Sequence, residues 1–186
     1  MSITIPTISL AGSVGKVDCD IPNGTANTGV TATEFSFDGY HVTKLTFAAL
    51  VIGAIAGAAD QALGKLLYTL PAGQSLIRSA HMLVALTNTG GLIDADTPDV
   101  GLGITIASGA FALLSAAGAG RENVLTGQTA ANTTGTQINK GVTDQMVVVQ
   151  TLDSHAIHLN VADGWVAADA GLKATGTVLI EWVTLT

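Results

Sequence analysis

Between Lys44 and Asp60 the chain reads LTFAALVIGAIAGAA, fifteen residues without a charge. A segment like this must be kept from water, by lipid or by protein, and that choice constrains everything else. A spanning helix needs about 20 mostly apolar residues to cross ~30 Å of hydrocarbon. At ~1.5 Å per residue this stretch reaches only ~22 Å as a helix, and Gly53 and Gly57 interrupt it. A second uncharged run, Val100–Gly120, has 21 residues, but five glycines, Thr105, Ser108 and Ser115 dilute it. In its first half Val100, Leu102, Ile104 and Ile106 alternate with glycine or threonine, the period-two pattern of a strand. Neither run carries the aromatic belt and basic flanks that anchor spans. The expected setting is buried protein, a core strand running into a loop of small residues, with no membrane partner.

Charged residues are 11% of the chain and hydrophobic ones 48%, against the ~25% charged usage of ordinary globular proteins. The surface must be built from Thr, Ser, Asn, Gln, Gly and Ala, and much of it is expected to lie against other chains. The net charge is −7, and the seven basic residues stand one at a time. That disfavours a phosphate backbone as partner, because such binding needs clustered Lys and Arg. One cysteine, Cys19, excludes an internal disulfide framework and a multi-cysteine metal site. The opening MSITIPTISLAG has neither a basic n-region nor a long apolar h-region, so it does not read as a secretory signal.

The length of 186 residues suits one domain. Residues 1–33 read as an extended arm, with apolar beats at Ile3, Ile5, Ile8 and Leu10 and then the turn-rich tract PNGTANTG. Residues 34–186 read as a β-sandwich domain. EFSFDGY alternates Phe35 and Phe37 with polar residues, and Asp38-Gly39 is a hairpin signal. LGKLLYTL and QSLIRSAHMLVALT form two strands around the turn Pro71-Ala72-Gly73. VGLGITIA, QMVVVQT, HAIHLNVA and TGTVLIEWVTLT add further strands. GAFALLSAAGAG reads as a short helix of about two or three turns, bounded by glycines. RENVLTGQTAANTTGTQINKG reads as polar connection. Roughly eight short strands with Gly, Pro and Asn turns predict an all-β, sandwich or jelly-roll-like fold.

Reactive chemistry is sparse. His155 and His158 fall on opposite faces of a strand and cannot share a metal. Asp94, Asp96 and Asp99 in DADTPD could offer oxygens to a cation, but the glycine and glutamate of a calcium loop are missing. A solvated turn explains them equally well. Neither a nucleophile elbow nor a phosphate loop occurs. Trp165 and Trp182 could stack on sugars, but packing in the core or at an interface fits better. No catalytic residue, cofactor or metal is expected, and the chain does not read as an enzyme.

LLYTLPAGQSLIRSAHMLVAL, DADTPDVGLGITIASG and RENVLTGQTAA resemble segments that recur, in similar order, in head decoration (cement) proteins of tailed bacteriophages. The resemblance covers about residues 35–131. It implies a β-sandwich or jelly-roll-like homotrimer that binds the major capsid protein on the outside of an icosahedral head. Such a protein is made in the host cytoplasm and ends on the capsid surface. On this reading Ile3, Ile5, Ile8, Leu10 and Trp165 are interface residues. The competing readings are another phage tail or fibre module and a carbohydrate-binding sandwich.

Overall fold

The computed structural model describes residues 18–19, 23–87, 96–118, 120–130, 136–140, 147–151 and 155–185. They form thirteen strands: β1 Asp18–Cys19, β2 Thr25–Ala26, β3 Val30–Phe37, β4 Tyr40–Ile55, β5 Ala59–Thr69, β6 Gly73–Thr87, β7 Asp99–Gly103, β8 Ser108–Gly109, β9 Leu125–Thr129, β10 Thr136–Lys140, β11 Val147–Thr151, β12 Ala156–Trp165 and β13 Asp169–Leu185. β3 starts at Val30, ahead of the expected domain boundary at Glu34. β9 and β10 lie where a polar connection is expected. Ile3, Ile5, Ile8 and Leu10 lie outside the described residues.

The strands build two antiparallel sheets. One runs β1-β3-β4-β13-β6-β10, with β11 also on β6; the other runs β2-β5-β12-β7-β9, with β8 also on β5. The long pairings are nested: β4 with β13, β5 with β12, β6 with β10 and β11, and β7 with β9. The nested pairs alternate between the two sheets, as in a long hairpin rolled up, the connectivity of a jelly roll. Between the sheets lies one core, including Leu45, Phe47, Tyr68, Met82, Leu102, Leu159, Trp165 and Trp182.

The uncharged run from Leu45 is the second half of β4, the turn at 56–58 and the start of β5. Leu45, Phe47, Leu50, Ile52 and Ile55 are its buried members. The change of phase after Phe47 is made by a bulge. Phe47 pairs with Gly176 and Leu50 with Ala174, so Ala48 and Ala49 together oppose Thr175. Ala49 takes φ 51°, and its N–H donates to Thr175 Oγ1 at 2.8 Å. Among the described residues no helix is long and apolar enough to cross a membrane.

The expected helix over GAFALLSAAGAG is only a 3₁₀ turn, Ser115–Ala117. Long-range contacts override the local alanine preference. The Leu114 N–H donates to Asp99 Oδ2 at 2.9 Å instead of continuing a helix, and Gly109 and Gly118 take positive φ. Leu114 itself is buried with Ala62, Ala107 and Ala162, and Phe111 packs beside them. The β7–β9 connection thereby roofs the outer face of the second sheet. Asn160 pins the roof: its Oδ1 accepts from Ala107 N–H (2.9 Å), and its Nδ2 donates to the Thr105 and Arg121 carbonyls (2.9 and 2.6 Å). The outer face of the first sheet has no such roof among the described residues.

Candidate functional site: the β3–β4 hairpin and its two faces

Asp38 and Gly39, at φ 49° and 76°, make the two-residue turn with both φ positive that matches the twist of paired strands. That turn fixes the register Phe37↔Tyr40, Phe35↔Val42, Glu34↔Thr43. Alternation then sorts the side chains. Val30 and Ala32 pack on the core and Glu34 is buried, whereas Phe35 and Phe37 stay 44% and 37% exposed. The alternation in EFSF is real, but there the polar Glu34 and Ser36 face in and the aromatics face out, in line with the exposed Thr31 and Thr33.

Inside, Glu34 is the centre of a polar cluster spanning both sheets. Its Oε1 accepts from Asn23 N–H (3.2 Å), Asn23 Nδ2 (2.8 Å) and His41 Nδ1 (3.0 Å). Its Oε2 accepts from Thr43 Oγ1 (2.7 Å) and, from the opposite sheet, Tyr68 Oη (3.1 Å). A carboxylate can only accept, so the His41–Glu34 bond requires the imidazole proton on Nδ1. Tyr68 Oη in turn accepts from Gly24 N–H at 2.7 Å. His41 lies against the Trp182 ring, whose Nε1–H donates to Thr43 Oγ1 at 2.9 Å.

Burial is the largest single influence on Glu34 and opposes its charge, but the hydrogen bonds from Thr43, Asn23 and His41 outweigh it. The carboxyl is held below its ordinary value. Burial first, and the Glu34 charge second, push the Tyr68 hydroxyl well up. A carboxylate saturated by five donors has little basicity to spare for proton abstraction. The arrangement acts as a lock, joining β3, β4, β13 and β5 with the segment before β2. Its residues were accessible to sequence reasoning only through the hairpin register.

Outside, the same end of the sheet presents Phe35, Phe37, Tyr40, Val183 and Leu185, with Val183 opposite Tyr40 and Leu185 40% exposed. Arg78 lies over the Tyr40 ring at 5.9 Å. At this edge β1 adds to β3, with Asp18 opposite Ser36 and Cys19 opposite Phe35. The lock therefore holds rigid a platform whose outer surface is aromatic and aliphatic.

The other end carries an acidic group. An open cleft of about 580 Å³ is lined by Ala58, Ala59, Asp60, Gly164, Trp165 and Val166. Trp165, expected at an interface, is a core residue: it is 1% exposed and donates to the Gln61 carbonyl at 3.0 Å. Its size and apolar body suit the inter-sheet space, and its indole N–H is satisfied there. Nearby, Asp163 accepts from Thr97 and Gly164 N–H, and Asp96 Oδ1 accepts from Val166 N–H at 2.9 Å. Burial, then the charges of Asp96 and Asp60, raise the Asp163 carboxyl against the pull of those two N–H groups. Asp96 and Asp99 turn to different donors, Val166 and Leu114, and Asp94 lies outside the described residues. Among the described residues no group of three potential ligands could hold a metal. His158 is buried under the roof, which lowers its proton affinity despite a bond to the Gly103 backbone.

These two faces define the molecule as an all-β sandwich in which, among the described residues, one sheet is covered by its own loop and the other is not. No protein-family profile matches the chain, and no curated protein does. Among solved structures it is similar to a chain in the structure of the infectious bursal disease virus Gx strain, with 15% identity and a TM-score of 0.32. The match covers 98% of this chain and 45% of that one.

Proposed function

We propose that this protein is a structural component of a virion, a capsid decoration (cement) protein rather than an enzyme. On this reading it binds the major capsid protein on the outside of an icosahedral phage head. It does so as a homotrimer at capsomer junctions, after synthesis in the host cytoplasm. The observation that carries the reading is the outer face of the first sheet, where Phe35, Phe37 and Leu185 are exposed and no roof lies among the described residues, while the opposite sheet is covered by its own loop. A protein that works by adding contact area across seams needs such a face, and symmetric copies multiply its effect. The jelly-roll connectivity and the decoration-protein resemblance support the same reading. A sugar-binding alternative loses the two tryptophans that could have stacked on sugars, because Trp165 and Trp182 are both buried.

The test is co-sedimentation of the purified chain with phage heads stripped of their decoration protein, followed by heating. Saturable binding with a raised temperature of DNA release is expected. Heads that leave the chain in the supernatant would overturn the proposal.

A further inference from the structure

Beside the acidic cleft, two carboxylates clasp each other's segments of chain. Asp163 Oδ2 accepts from the N–H of Thr97, the residue after Asp96, at 2.9 Å. Asp96 Oδ1 accepts from the N–H of Val166, close after Asp163, also at 2.9 Å. Each carboxyl group thus reaches across to the other's segment, and the two share the gap between residues 96–97 and 163–166. Asp163 Oδ1 is held by the Gly164 N–H at 2.8 Å. One oxygen of the clasp is left over. Asp96 is only 3% exposed, and its Oδ2 is enclosed without a hydrogen-bond partner.

An enclosed carboxylate oxygen that accepts nothing is costly, and more so beside charges of its own sign. The charges that act on Asp163 are those of Asp96 and Asp60, both negative. Asp60 stands opposite Gly164, exposed at the mouth of the cleft. A water would supply a donor and leave every charge in place. A shared proton would remove one charge and leave the others. A cation answers the unpartnered oxygen and the excess of negative charge together. The donors are all oxygens, which suit a hard cation, and calcium accepts irregular oxygen sets where magnesium demands a near-ideal octahedron. The open cleft, lined by Asp60, Gly164 and Val166 among others, gives such an ion an entry path and room for water ligands.

We propose that Asp96 and Asp163 together bind a calcium ion at the wall of this cleft, with Asp96 Oδ2 as a direct ligand and waters completing the shell. Asp60 contributes its field rather than a bond, since among the described residues no three side-chain ligands converge on one point. The ion ties the segment entering β7 to the end of β12. With only two charged ligands the expected Kd is about 0.1–1 mM, the weak end of calcium sites. The site is independent of the virion reading.

Terbium is the probe, because it occupies calcium sites and is excited through a nearby indole, and Trp165 lines this cleft. In the full-length protein, tryptophan excitation should give saturable terbium emission that calcium displaces. Asp96→Asn keeps an oxygen acceptor for Val166 and should weaken terbium binding about tenfold or more. In thermal melts, about 10 mM calcium should raise the wild-type Tm by about 3–10 °C over the protein in EDTA. The melt of Asp96→Asn should not move. If that variant does not fold, the terbium displacement and the wild-type melt still decide the question.

Terbium emission that calcium leaves unchanged, or that a folded Asp96→Asn reproduces, overturns the proposal. So does a wild-type melt indifferent to both calcium and EDTA. Stability that rises on mild acidification without any response to calcium would mean a proton shared between the two carboxyls, and it too overturns the proposal.

Discussion

His41 lies flat against Trp182, ring centroids 3.8 Å apart and planes within 11°. One ring belongs to β4 and the other to β13, which are directly paired with Trp182 opposite His41. The stack presses the imidazole edge onto Glu34, and the indole N–H reaches the same cluster through Thr43. Trp182→Phe keeps a ring under His41 but removes that donor. The expected cost is about 1–2 kcal/mol for a lost buried hydrogen bond and part of a packed ring. It is read as a shift of the urea midpoint with unchanged slope. No shift would show that the indole N–H contributes nothing.

The Glu34 carboxyl lies below its ordinary value in the fold, so the folded state holds its charged form more firmly than the unfolded chain does. Stability from this group is complete above the ordinary carboxylate range. It is lost as pH falls through about 4.5 and on through the lowered folded value. Wild type should therefore lose part of its advantage over Glu34→Gln between pH 6 and pH 3. At pH 7 the variant should be destabilised by about 2–3 kcal/mol, the scale for hydrogen bonds to a buried charged group. Parallel pH profiles for the two proteins would refute the assignment.

The hairpin that carries Glu34 was legible in EFSFDGY, because Asp-Gly supplies both positive φ angles at low cost. Its facing was legible too, by a longer route. Phe47 and Leu45 face the core, alternation back along β4 makes Thr43 and His41 inward, and the two-residue turn sets Glu34 opposite Thr43. Other features lay beyond any local reading. The Ala48-Ala49 bulge depends on Thr175, which is 126 residues away from Ala49. The nested pairing of β4 with β13 likewise joins distant parts of the chain. Around Leu114 the residues read as helix formers, but the Leu114 N–H is taken by Asp99, fifteen residues upstream, and Leu114 packs on Ala62 and Ala162 of distant strands. The acidic cleft and the burial of Trp165 follow from the same long-range closure.

Gly39 sits at φ 76°, and a Cβ there would stand 3.1 Å from Thr184 Oγ1. Its carbonyl also accepts from Thr184 N–H at 2.9 Å, tying the turn to the end of β13. Gly39→Ala should cost about 1–2 kcal/mol through the left-handed backbone alone. Asp38→Gly, which relieves the other positive φ, should be near neutral. Thermal melts of the two variants give the comparison, and equal losses would contradict the turn geometry.

Asn160 offers the sharpest test of the roofed sheet, because its side chain is wholly buried and one amide satisfies three backbone groups. Asn160→Ala leaves the Ala107 N–H and the carbonyls of Thr105 and Arg121 without these partners. Asn160→Asp keeps an acceptor for Ala107 but cannot donate to the two carbonyls and brings a buried charge. Both should lose about 2–4 kcal/mol, on the scale of buried groups left unsatisfied. The loss should be local first, since the loop has few core contacts of its own and loops open below the global free energy. Trypsin cleavage after Arg121 should speed up at least tenfold in both variants under conditions where the two sheets still give a native melt. An unchanged cleavage rate would mean that Leu114 and Ala107 hold the roof without Asn160.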